Sequence, residues 1–244
     1  AIIAASTTSL PESPGSTRNW DYRYCWIRDS YYTLTCFNSL GHFEELEKYF
    51  EFIHNLKPGP DGRYQPLYSI TGDSLLTEEI SDLDGYMGEK PVRVGNQAYT
   101  HIQNDLYGQV LVSLLPLYSD QRFTEEERSN SKPMIMNLLN KIETTMDEKD
   151  AGLWEFRNLA QEHCYTFLFH WAGSCAAAKI GTRLKDDAMY QKAIVLRDLA
   201  IGKIEECYLP DRKAYGQAIG STYMDASTLQ LITMGYFGDD LERA

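Results

Sequence analysis

With 244 residues, 43% hydrophobic and 24% charged, the chain has the make-up of a globular protein long enough for one large core or two small ones. A formal net charge of −12 argues against nucleic acid or an anionic membrane as partner, because phosphate-bearing surfaces repel it, and leaves a neutral ligand such as a glucan compatible. Five cysteines (Cys25, Cys36, Cys164, Cys175, Cys207), odd in number and without a CxxC pair, argue against a disulfide framework or a zinc site and point to a reducing, cytoplasmic setting.

Residues 1–18 are small and polar, with Pro11, Pro14 and Gly15, and read as an extended lead-in. They carry neither the basic start nor the long apolar run of a secretory leader. The chain starts without Met and stops at Ala244, which reads as an excised fragment. Asp29 or Ser30 is expected to cap a helix that runs to about residue 40, where Gly41 stops it. A second helix starts near His42, with Phe43, Leu46, Phe50 and Ile53 in one stripe, and ends at Lys57-Pro-Gly-Pro-Asp-Gly62. Residues 63–95, rich in Gly and Pro, read as one long irregular segment, a length that in a compact domain points to function. Helices are then predicted over 96–118, with Ala98, Ile102, Leu106, Val110 and Leu114 on one face, and over 132–145. A Gly/Trp turn at 150–157 precedes an almost wholly apolar helix over 164–180, which calls for burial on most sides. An amphipathic helix over 185–207, a loop from Pro210 to Gly220 and a helix capped by Asp225 and running to about Met234 complete the chain. No run is apolar enough for a membrane helix, which needs about 18 such residues. The pattern is all-α, with buried and half-exposed helices alternating and no strong strand signal.

Three segments carry chemistry. Asn19-Trp-Asp-Tyr-Arg-Tyr-Cys-Trp-Ile-Arg-Asp29 mixes rings and charges more densely than a core or a solvated loop requires. Rings stack on the C–H faces of a sugar, and Asp and Arg fix hydroxyls by charge-assisted hydrogen bonds; the alternative is an aromatic-ionic cluster at a helix start, with Asp29 as its cap. The 12% aromatic content is open to the same two readings, sugar stacking or a Tyr-rich core. In Asp150-Ala-Gly-Leu-Trp-Glu-Phe-Arg157, Glu155 stands between two rings. Apolar surroundings favour the neutral carboxyl and fit it to protonate a glycosidic oxygen; the alternative is an ordinary ion pair with Arg157. Gly85-Tyr-Met-Gly-Glu-Lys-Pro-Val-Arg-Val-Gly-Asn96, followed by Gln103, Asp105 and Tyr107-Gly108, reads as a loop that passes close to a ligand, with Arg93 either holding a hydroxyl or bracing the loop. His42, His54, His101, His163 and His170 show no metal spacing, and His163 and His170 read as buried-layer helix residues. Phosphate-cradling and serine-nucleophile motifs are absent.

Together these segments, with Thr7-Thr-Ser-Leu-Pro11 ahead of them, resemble glycoside hydrolase family 15, the glucoamylases with their glucodextranase and trehalase relatives. The resemblance covers nearly the whole chain and implies an (α/α)6 barrel, of which residues 1–244 would hold about half as a partial catalytic domain. An open half-barrel exposes apolar inner helices and is expected to self-associate. The resemblance implies inverting hydrolysis of α-glucosides or α-glucans from the non-reducing end, of glucan 1,4-alpha-glucosidase type, with Glu155 as general acid and no metal or cofactor. It places Tyr22, Trp26, Arg28 and Asp29 around the terminal glucose, Trp154 and Arg157 beside the acid, and Tyr86 and Arg93 in the pocket. Two departures stand out. Many relatives carry a Lys-containing run where this chain has His163-Cys-Tyr-Thr-Phe-Leu168. The general base of the family lies beyond residue 244, so the chain alone is expected to be inactive. A non-catalytic carbohydrate-binding or regulatory module of the same fold is the alternative.

Overall fold

A computed structural model describes residues 1–244 as two compact units, residues 1–101 and 102–244. Seven helices dominate, accompanied by four two-stranded antiparallel ribbons. The ribbons depart from the strand-free expectation: their strands are two to four residues long, too short for an alternating pattern to register.

In the first unit, β1 (Thr8–Pro11) pairs with β2 (Asn19–Asp21), so the lead-in is partly a strand. Next, β3 (Cys25–Trp26) feeds straight into α1 (Ile27–Ser39). The helix starts before the expected cap. Its N-cap is Trp26, and Asp29 lies inside the first turn, where a carboxylate favours the helix dipole. After a turn at Gly41, α2 (Phe43–Asn55) packs on α1 and buries Phe43, Leu46, Tyr49 and Ile53; Phe50, expected in the stripe, is only half-buried. The segment read as irregular holds three strands. Of these, β4 (Leu67–Tyr68) pairs with β3, while β5 (Glu79–Ser81) pairs with β6 (Val92–Val94). Trp26, Leu67, Leu76 and Ala98 form a small core beneath them.

The second unit is built on helix pairs. The helix predicted over 96–118 is split: Asn96 caps a single 3₁₀ turn, Gln97–Thr100, His101 turns extended, and α3 (Asp105–Ser119) starts afresh. A capping box, in which the Thr124 side chain accepts the Glu127 N–H and the Glu127 side chain the Thr124 N–H, starts α4 (Glu125–Thr145) seven residues before the predicted point. The long helices α5 (Cys164–Leu184) and α6 (Asp187–Glu206) follow, then β7 (Tyr208–Leu209) paired with β8 (Ala214–Tyr215). Asp225 caps the closing 3₁₀ turn, which runs into α7 (Gln230–Thr233).

The predicted alternation holds here. Nearly every residue of α5 from Cys164 to Gly181 is buried, whereas α6 buries only Met189, Ala193, Leu196, Ala200 and Ile204, at spacings of three and four. The closest approach of α3 to α5 is backbone on backbone: a Cβ on Gly108 would lie 1.9 Å from the Phe169 carbonyl oxygen, and one on Gly173 2.4 Å from the Gly108 Cα. Only glycine lets these helices meet. No helix is long and apolar enough to cross a membrane.

Candidate active site

Glu155 stands in a loop closed at its base by a two-way bridge. Asp150 N–H donates to the Gln161 carbonyl and Gln161 N–H to the Asp150 carbonyl, each at 3.0 Å. Inside it, Glu155 N–H donates to the Gly152 carbonyl at 3.1 Å and Phe156 N–H to the Ala151 carbonyl at 3.0 Å. Glu155 has φ +57°, a left-handed conformation that costs a non-glycine residue roughly 1–2 kcal/mol and persists only where the surroundings enforce it. Glu155 is half-buried, and its neighbours in the chain are two exposed, anchored rings. Trp154 donates its Nε1–H to Asp225 Oδ2 at 2.7 Å, and Phe156 stacks on His163 with ring centroids 6.3 Å apart. Arg157, next in the chain, is exposed.

Beneath the turn lies a buried polar platform. Asp150 is 1% exposed, and its carboxylate gathers three donors. Oδ1 accepts from Gly152 N–H at 3.1 Å; Oδ2 accepts from Asn104 N–H at 2.8 Å and from the Thr166 hydroxyl at 2.9 Å. Burial first, then the nearby charge of Asp105, pushes the Asp150 pKa up to about 7. His163, the N-cap of α5, places Nε2 3.9 Å from Asp150 Oδ1, and burial lowers its pKa. His170, fully buried in α5, donates Nε2–H to the Asn104 carbonyl at 3.1 Å; burial lowers its pKa to about 4, so it is neutral at pH 7. Both histidines belong to the buried layer, as their positions in the sequence suggest. No group of three or more His, Cys, Asp or Glu side chains is arranged to hold a metal ion.

The first unit collects the ring-and-charge block. Trp26 is 5% exposed, and its Nε1–H has no hydrogen-bond partner within the protein. The Arg28 guanidinium lies 5.9 Å from the Trp26 ring centroid. Burial raises the Asp29 pKa, and the neighbouring Arg28 opposes the rise. Tyr22, half-buried, is held through its backbone by Thr7 and Ala5. Tyr86 opens a 3₁₀ turn, Tyr86–Gly88, on the surface and is 61% exposed.

The contacts of Arg93 support the bracing alternative. Its guanidinium pairs with Glu78 at 2.9 Å, donates to the carbonyls of Thr17 and Asn19, and lies over the Trp20 ring. Asp21, fully buried, ties Arg23 and the Gly95 N–H into the same corner. Asp150, Thr166 and Asp21 went unremarked as site residues in the sequence. Asp150-Ala-Gly152 does carry a readable signal, an Asp whose side chain bonds its own backbone two residues on.

The model for glycosyl hydrolases family 15 matches residues 1–243. A trehalase of Mycobacterium tuberculosis is 32% identical over 98% of this chain and 35% of its own length. A trehalase of Thermoplasma volcanium is 31% identical over 96% of this chain and 37% of its own. The chain thus spans about a third of the length of these curated relatives. Among solved structures, the glucoamylase from Saccharomycopsis fibuligera superposes with a TM-score of 0.56 at 16% identity, over 90% of this chain and 46% of that one, which is a likeness of fold. A family match over almost every residue, with relatives about 30% identical across the whole chain, places the protein among the glycosyl hydrolases of family 15.

Proposed function

We propose that the protein hydrolyses an α-glucoside by single displacement with inversion, with Glu155 as the general acid. The observation that carries this reading is the loop at 150–161. It holds Glu155, half-buried and flanked in the chain by two anchored rings, in a left-handed conformation, in a protein whose family hydrolyses glycosides. A carboxylic acid so placed delivers a proton to the departing glycosidic oxygen, an effect worth about 10²–10⁴ in rate. A second carboxylate, about 6.5–9.5 Å away across the sugar, activates water from the opposite face. The resemblance to the family places that base beyond residue 244, and the proposal is for the protein with that segment present.

Tyr22, Trp26, Arg28 and Asp29 are proposed to take the terminal glucose. The support is local: Trp26 keeps an unpartnered indole donor, and Arg28 stands next to Asp29, where its charge opposes the rise that burial gives the Asp29 pKa. Trp154 and Arg157 flank the acid, Tyr86 contributes a surface ring, and Arg93 serves as the brace of the first unit rather than as a sugar ligand. The helix pairing of residues 102–244 and the likeness of fold support an (α/α)6 toroid.

On substrate, the motifs leave the linkage open, and the relatives named trehalase favour the α,α-1,1 bond of trehalose over the glucan 1,4 type that the resemblance implies. Glucose release from trehalose, maltose, isomaltose and soluble starch by the full-length protein, with the anomer followed by proton NMR, tests both points. The reading predicts β-glucose as the first-formed anomer from the water-attacked residue, with trehalose the best substrate. Binding of sugar without release of glucose from any of the four would instead favour a non-catalytic module.

A further inference from the structure

Given Glu155 as the acid, we propose that Asp150 is its positioning residue, acting through the Gly152 peptide.

Three donors from three separate places converge on this one side chain: Gly152 in the turn itself, Asn104 at the entry to α3 and Thr166 in the first turn of α5. Fastening α3 to α5 needs only Oδ2, which takes the Asn104 and Thr166 donors. Oδ1 is devoted to the turn. From it the chain of bonds is short: Asp150 Oδ1 accepts the Gly152 N–H, and the Gly152 carbonyl accepts the Glu155 N–H. Two hydrogen bonds therefore separate the buried carboxylate from the backbone of the acid. On its other side Gly152 rests against the imidazole of His163, where even a Cβ would lie 2.5 Å from Nε2. Gly152 is held between Asp150 and His163, and on this proposal that hold helps to keep Glu155 in its left-handed conformation. Burying a carboxyl beside Asp105 is costly, as the raised pKa records, and a neutral cap would fasten the helices without that cost.

An amide at this position cannot do the work of the ionised carboxylate. Asn offers one acceptor oxygen and one donor NH₂, and all three neighbours are donors. Whichever way it turns, donor meets donor either at Gly152 or at Asn104 and Thr166.

The test compares two substrates in the full-length protein: trehalose, whose leaving group needs a proton, and α-D-glucosyl fluoride, whose leaving fluoride needs little help from an acid. The readout is the ratio of kcat/KM on the first to kcat/KM on the second. Glu155→Gln is expected to lower the ratio by about 100-fold or more; if it leaves the ratio unchanged, the acid assignment itself fails, whatever Asp150 does. With that assignment standing, Asp150→Asn is expected to lower the ratio about tenfold, since a misplaced acid is slow only where its proton is needed. Equal losses on both substrates, or none on either, would mean that Asp150 merely supports the fold and would overturn the proposal. Should Asp150→Asn not fold, Thr166→Val removes a donor at Oδ2 only and is expected to lower stability while keeping the ratio within about twofold of wild type; a ratio that falls there as the fold weakens would mean that the turn follows the helix fastening rather than Oδ1, and would overturn the proposal equally.

Discussion

At the scale of the residue, the turn that carries Glu155 is bonded to a buried carboxyl, Asp150, whose titration affects stability. Asp150 titrates near 3.8 in an ordinary setting and at about 7 in the fold. Its folded-state pKa is raised, so its contribution is fully present below 3.8 and is lost as pH rises through 7. The buried histidines act in the opposite sense. The pKa of His170 falls from 6.5 to about 4 and that of His163 is lowered, so their contribution is present above 6.5 and lost as pH falls. The groups facing Asp150 are Asp105 from the α3 side and His163 from α5. The difference in Tm between wild type and Asp150→Asn isolates the carboxyl from the histidines. Measured by calorimetry, that difference should shrink between pH 5 and pH 8; a difference that stays constant or grows would contradict the assignment. Glu155 is singled out in the sequence by its place in a block that resembles the family's, since a carboxyl next to a Trp is weak evidence by itself. Asp150 is not, because its burial depends on Asn104 and Thr166, which only folding brings to it.

Among the elements, the wholly apolar α5 and the amphipathic α6 could be read from periodicity, since their burial follows their own sequence. Local chemistry overrode periodicity elsewhere. Ala98 and Ile102 fall on the predicted face of one helix, yet Asn96 caps a single 3₁₀ turn there and Ile102 ends 42% exposed. The start of α4 was written in its capping box, but the polar run before Pro133 hid it from a reading based on apolar stripes. The ribbons are too short to read. Nor does any local pattern reveal that Gly108 and Gly173 set the approach of α3 to α5. Gly108→Ala should therefore destabilise the protein by about 1–3 kcal/mol or more, as overpacking does. Gly202→Ala, on α6 with nothing within 4 Å of the added Cβ, should instead stabilise it by up to about 1 kcal/mol. Denaturant unfolding of the two variants checks the contrast, and equal effects would refute the close-approach argument.

For the whole molecule, the family match spans both compact units, the first carrying the proposed sugar-binding residues and the second the proposed acid. The motif resemblance read from sequence and the match over residues 1–243 agree on the family. The bond cleaved was less legible, because a ring-and-charge block proposed to take one glucose does not encode what that glucose is joined to. The central claim is that Glu155 protonates the leaving group, and kcat for Glu155→Gln in the full-length protein, on the substrate the wild type cleaves best, tests it most directly. A fall of about a thousandfold, with KM and Tm nearly unchanged, is the result expected when a proton donor is removed and its shape kept. A kcat within twofold of wild type would contradict the account, and the acid would have to be sought elsewhere in the protein.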